Sequence, residues 1–156
     1  MGALAERPVD HAGLAVLAYD ECLRLLREQL VGRVAFYRGG EVEVFPITFV
    51  LESNVIGFRT AYGSKLGAAV ENSVVTFEID GFDPDSHSGW SVVVKGRADT
   101  DIDDATLAAL DATGFRPWAD AAASGNWVII RPVEVTGRRI QAAAPAAEPA
   151  APPAES

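Results

Sequence analysis

The chain has 156 residues, 49% of them hydrophobic and 22% charged, a balance that suits one globular domain with a real core rather than two. Its formal net charge of −9 disfavours a nucleic-acid partner, because affinity for phosphate backbones comes mainly from Lys and Arg. One cysteine, Cys22, excludes an intrachain disulfide, and with only two histidines beside it the soft ligands are too few for a structural zinc site.

The N-terminal stretch "MGALAERPVDHAG" lacks a basic region followed by an apolar core, so it does not read as a secretory signal. No apolar run approaches the roughly 20 residues a membrane span needs. The expectation is a soluble cytoplasmic protein without a membrane or nucleic-acid partner. Residues 1–16 read as a weakly structured arm, residues 17–141 as the folded domain, and the Ala/Pro-rich tail 142–156 as disordered, since it has no large apolar residue to bury.

Within the domain, Asp20 is the expected N-cap of a helix whose apolar side carries Cys22, Leu23, Leu25, Leu26 and Leu30 and which ends before Gly32. "RVAFYR", "GG" and "EVEVFPITFV" read as strand, glycine turn and strand, with Glu41 and Glu43 alternating against Val42 and Val44 to give one wet face and one buried face. "VIGFRT" supplies the third strand, and residues 64–72 a short helix. "SVVTFEID" is the fourth strand, the loop "GFDPDSHS" follows, and "GWSVVVKGRADT" is the fifth. Asp103 opens a further helix, and "NWVIIRPVEVTGRRI" gives one or two closing strands. Six or seven strands joined by short turns, with two or three helices, predict a mainly β, antiparallel barrel rather than βαβ units.

Pro46 interrupts a strong strand pattern. It cannot donate to a ladder, so its strand is expected to be open on one side there. That opening is either an ordinary edge or a gap through which a ligand approaches the backbone at residues 45–48. The stretch "FRTAYGSKLGAAV" at residues 58–70 passes from strand to helix and gathers Arg59, Thr60, Ser64 and Lys65. A helix N-terminus, a hydroxyl and a cation together suit a phosphate. The same residues also suit a Ser-capped helix with a solvated lysine and a strand-end arginine. The order Gly63-Ser64-Lys65 is not that of a P-loop.

Other constellations are weaker. Asp80, Asp83, Asp85 and His87 invite a calcium reading, but counted from Asp83 the glycine falls one place late and position twelve is Val94. Trp90, Trp118 and Trp127 suit either core and interface packing or the flanks of a planar ligand. Arg138 and Arg139 are either interface cations or exposed charges, and Cys22 reads as a small buried hydrophobe.

The order and spacing of "VGRVAF", "VFPITF", "FRTAYGSKL", "VVTFEID", "GWSVVVKGRA" and "EVTGRRI" resemble the pyridoxamine 5′-phosphate oxidase-like family of FMN-binding split barrels. The resemblance implies a split β-barrel, a homodimer with FMN in the groove between subunits, and a small-molecule substrate. By position it places Arg59, Thr60, Ser64 and Lys65 at the ribityl-phosphate. It places Phe45, Pro46, Ile47 and Thr48 along the isoalloxazine ring, and Ser91 where the oxidases proper carry a Gln. Two departures concern the reaction: Leu66 follows Lys65 where those oxidases show a second basic residue, and their C-terminal Arg-Leu-x-Pro element is missing. The reading is therefore a flavoprotein oxidoreductase other than a vitamin B6 oxidase. The alternatives are a reductase using deazaflavin F420 and a non-catalytic flavin- or haem-binding module.

Overall fold

Alternation and two glycines set the first hairpin of the computed structural model, which describes residues 8–61, 64–119, 122 and 125–141, leaving the Lys65 side chain outside that set. Strands β2 (Val31–Arg38) and β3 (Glu41–Thr48) pair antiparallel from Val31 opposite Thr48 to Arg38 opposite Glu41. Gly39 and Gly40, at φ +60 and +91, make the two-residue turn, whose left-handed backbone only glycine adopts without cost. Val34 and Phe36 point into the core, while Arg33 and Tyr37 face out.

Before this hairpin come β1 (Ala15–Val16) and α1 (Tyr19–Glu28). After it come β4 (Val50–Glu52), β5 (Val55–Thr60), α2 (Lys65–Val70), β6 (Val74–Asp83), β7 (Ser88–Asp99), α3 (Asp104–Ala112) and β8 (Asn126–Ile140). The strands form one sheet in the order β3-β2-β6-β7-β8-β5-β4, with β1 paired to β8, and each pairing is antiparallel. The two ends of that order, β3 and β4, are separated in the chain by Phe49 alone. The sheet therefore curls until its edges meet at one residue without pairing, which is a split barrel. Phe49 is buried at the seam, edge-on to Phe77 at 4.8 Å. Pro46 lies on β3, which among the described residues pairs with β2 alone, so its missing N–H breaks no ladder.

Phe58, Phe77, Ile79, Val92, Val94, Val128 and Ile130 fill the barrel with Val34, Phe36 and Phe49. On the outer face, α3 covers a second cluster of Val55, Leu110, Trp127 and Ile129. Asp103 caps α3 as its sequence predicts, accepting from the Thr106 N–H at 2.9 Å. No helix among the described residues is long and apolar enough to cross a membrane.

Several expectations are corrected. Among the described residues there are eight strands rather than six or seven, because "EVEVFPITFV" breaks at Phe49 into β3 and β4 and because β1 forms. Val42 and Val44, expected on the buried face of β3, are exposed, because the face that carries Phe45 and Ile47 turns inward. Part of the expected loose arm is pinned: β1 pairs with Arg138 and Arg139, and Asp10 accepts from the Ala12 and Leu14 N–H groups and from Arg138 Nε. The Arg138 guanidinium holds the Asp10 carboxyl below the usual 3.8. Asp20 is not the N-cap of α1. Ala18 holds that place without a side-chain bond, because Leu17 N–H is tied to Gly137 O at 2.9 Å and fixes the chain direction one residue earlier. Leu30 is exposed, since the helix ends at Glu28 and Gln29 is extended. Arg138 and Arg139 are ion-paired within the chain, to Asp10 and Glu21. Residues 1–7 and the tail 142–156 lie outside the described residues.

Candidate functional site

Near the seam, the edge strand β3, the end of β5, the start of α2 and residues before β8 leave a cavity of about 480 Å³. It falls within the roughly 300–1,000 Å³ of small-molecule sites. Pro46, Ile47 and Thr48 line it from β3, Arg59 and Thr60 from the end of β5, and Ser64 from the start of α2. The remaining wall is apolar and includes Val31, Leu66, Pro117 and Trp118. Pro46, Ile47 and Thr48 on β3 and Arg59, Thr60, Ala61 and Ser64 after it, far apart in the sheet order, are thus neighbours in space, as a barrel that closes at Phe49 requires.

Local packing holds the polar end of the cavity. Thr60 is 7% exposed, and Gly67 of α2 lies against it: a Cβ on Gly67 would sit 2.9 Å from Thr60 Oγ1. The glycine lets the helix settle on the strand end. Ser64 caps α2 by accepting from the Gly67 N–H at 3.2 Å, and its own O–H remains able to donate. Arg59 donates from Nε and Nη2 to the Gly125 carbonyl, at 3.2 and 2.8 Å, and its guanidinium carbon lies 5.5 Å from the centre of the Trp127 ring. The arginine is therefore held in place before any ligand arrives.

Of the residues singled out from the sequence, Pro46, Ile47, Thr48, Arg59, Thr60 and Ser64 share this cavity. Phe45 does not line it. One residue along the pleat from Pro46, its side chain takes the opposite face and stacks on Phe36, with ring centres 5.8 Å apart and planes within 8°. Ser91 lines a different cavity of about 250 Å³, with Asp80, Phe82, Trp90 and Arg138. Lys65 begins α2, but its side chain lies outside the described residues. The sequence reading missed Val31, Leu66, Pro117, Ala119 and Ala122 as lining residues. The one signal there was Trp118, an aromatic in a connecting segment, which is 71% exposed at the rim of the cavity. Leu66 packs partly against the main core, which explains why the position after Lys65 is not a second cation.

The structure is thus a split barrel with a largely apolar cavity near its seam, bordered at one end by a fixed arginine and by the hydroxyls of Thr60 and Ser64. Residues 18–139 match the family model described as pyridoxamine 5′-phosphate oxidase. An uncharacterised protein of Mycobacterium tuberculosis is 36% identical over 147 residues, 90% of this chain and 95% of its own length. The FAD-binding protein of Mycobacterium smegmatis superposes with a TM-score of 0.72 at 37% identity, over 81% of this chain and all of that one. A conserved protein of unknown function from Corynebacterium diphtheriae gives 0.67 at 35% identity, over 82% and 98%. The chain belongs to the pyridoxamine 5′-phosphate oxidase family.

Proposed function

We propose that the seam cavity binds the flavin mononucleotide unit, as FMN itself or as the half of FAD that is identical to it, and that the protein is an oxidoreductase for a small molecule. The observation that carries this is the gathering of an edge backbone, two hydroxyls and a fixed arginine around one largely apolar cavity. The similarity to an FAD-binding protein supports the flavin. Among the described residues β3 has no second strand partner, so its outward peptide groups at residues 46–48 are free for the polar edge of a flat ring. Arg59, Thr60 and Ser64, with Lys65 beside them in sequence, suit the phosphate, and Phe45 supports β3 from within. A bound flavin would supply two-electron redox chemistry; the protein supplies binding, orientation and access.

The same reading takes the protein to be a cytoplasmic homodimer. The outer face of the first hairpin exposes Tyr37, Val42 and Val44, which continue outward from Pro46 and Val31 at the cavity mouth. An apolar stripe of this kind on a small protein marks a contact surface, and two copies related by a two-fold axis would cover it. In that arrangement the Ser91 cavity would face the partner.

The test is an absorbance spectrum of the purified protein, then titrations with riboflavin, FMN and FAD. Tight FMN or FAD binding with weaker riboflavin is expected. Arg59→Ala should cost FMN about 1.5–3 kcal/mol, one to two decades in affinity, and riboflavin little. A Soret band, or binding of F420 in place of any flavin, would overturn the assignment. A light-scattering mass near 16.5 kDa for the flavin-loaded protein would overturn the dimer.

A further inference from the structure

Arg59 is the described cation that lines the seam cavity, and what surrounds it is unusual. In a chain of net charge −9 it makes no ion pair among the described residues. It is held by a neutral carbonyl, Gly125 O, and by the face of Trp127, its directly opposed cross-strand neighbour on β8. Neither cancels its charge. Trp127 is in turn fixed from beneath: its Nε1 donates to Asp111 Oδ1 on α3 at 2.8 Å, and Phe115 packs on it with ring centres 5.5 Å apart. Gly57 makes the room, since a Cβ there would lie 2.6 Å from Leu110 Cδ2 and 3.3 Å from the Trp127 ring.

We infer that Asp111 and Trp127 are positioning residues for the anionic group of the ligand, fixing the Arg59 guanidinium at the cavity wall and so setting the preference for a phosphorylated ligand over its unphosphorylated form. The inference rests on the flavin-nucleotide reading above. A carboxylate placed against Arg59 itself would neutralise the cation that the phosphate needs. Placed one residue further away, on the indole N–H, it orients the ring and raises the electron density of the face on which the guanidinium rests. Through this contact α3, none of whose residues lines the cavity, becomes part of the binding machinery.

The experiment measures FMN and riboflavin affinities by flavin fluorescence for wild type, Arg59→Ala, Trp127→Phe, Asp111→Ala and Asp111→Asn, with melting temperature as the check on folding. Trp127→Phe keeps a smaller ring but loses the bond to Asp111. It should weaken FMN about three- to tenfold and riboflavin less than about twofold. Asp111→Ala should weaken FMN about two- to fivefold, and Asp111→Asn should restore most of it, because the amide oxygen still accepts from the indole. An unchanged FMN-to-riboflavin ratio in Trp127→Phe and Asp111→Ala, alongside a reduced ratio in Arg59→Ala, overturns the inference and leaves the flavin-nucleotide reading standing. An unchanged ratio in Arg59→Ala overturns that reading and this inference with it. Asp111 is exposed, so Asp111→Ala carries the test if Trp127→Phe fails to fold.

Discussion

Gly125→Ala should damage both the fold and the site, for one geometric reason. A Cβ built on Gly125 would lie 1.7 Å from the Thr60 carbonyl oxygen and 2.5 Å from its carbon. Both obstacles are backbone, so no side-chain rotation relieves the clash, and the two chains must part by about 1 Å or more. Parting opens the ladder where Thr60 faces Asn126, and it moves the carbonyl that holds Arg59. Overpacking of this kind costs about 1–3 kcal/mol. The weakened Thr60 and Arg59 hydrogen bonds add about 0.5–1.5 kcal/mol each. A loss of about 2–6 kcal/mol follows, measurable as a lower urea midpoint at unchanged slope. Gly114→Ala is the control. Its glycine sits at φ +69 with nothing within 4 Å of the added carbon, so only the left-handed strain of about 1–2 kcal/mol applies. In the surviving fraction of Gly125→Ala, FMN should lose more affinity than riboflavin, because both Arg59 and Thr60 have moved. Equal midpoints for the two variants, or a Gly125→Ala protein within about 1 kcal/mol of wild type, would refute the reasoning.

Phe49→Ala removes the ring that fills the seam between β3 and β4, and should cost about 3–5 kcal/mol by denaturant unfolding; a cost below about 2 kcal/mol would show that the seam collapses around the smaller side chain. The Asp10 carboxyl is held low by Arg138 and by the Leu14 and Ala12 N–H groups, so its stabilising contribution is present above the unfolded value near 3.8 and is lost as pH falls through the lower folded value. The protection factor of the Val16 amide should therefore fall below about pH 3.8, and Asp10→Asn should show the lower protection already at pH 7 with little further fall on acidification; pH-independent protection in wild type would refute this. Burial, then the neighbouring Glu21 charge, pushes the Cys22 thiol above its ordinary 9.0. Iodoacetamide at pH 8 should label it only on unfolding, and rapid labelling of the native protein would contradict its placement.

What the sequence by itself determined is local. Short runs rich in β-branched and aromatic residues, bounded by turn residues, marked β2, β5, β6 and β7. Gly39 and Gly40 marked the tightest turn, and Ser64 and Asp103 marked two helix starts by bonds to N–H groups three residues on. Pro46 marked an edge, since a missing donor is a property of the residue and not of its surroundings. Asp20 looked equally suited to capping, yet only the Leu17–Gly137 bond, between residues distant in the chain, decided where α1 begins. Likewise Asp10 reads as an arm residue until Arg138, 128 positions later, is seen beside it. The site divides the same way. The residue types at 59–64 suit an anion by themselves, whereas the wall that carries Val31 and Trp118 faces them only because the curled sheet brings β3, the end of β5 and the residues before β8 together. Ser91 sits on β7, three strand spacings of about 4.8 Å from β3, so it faces another cavity. Short-range bonds and periodicity are written along the chain, but which distant surfaces close on one another depends on sheet order and curvature, and only the assembled barrel fixes those.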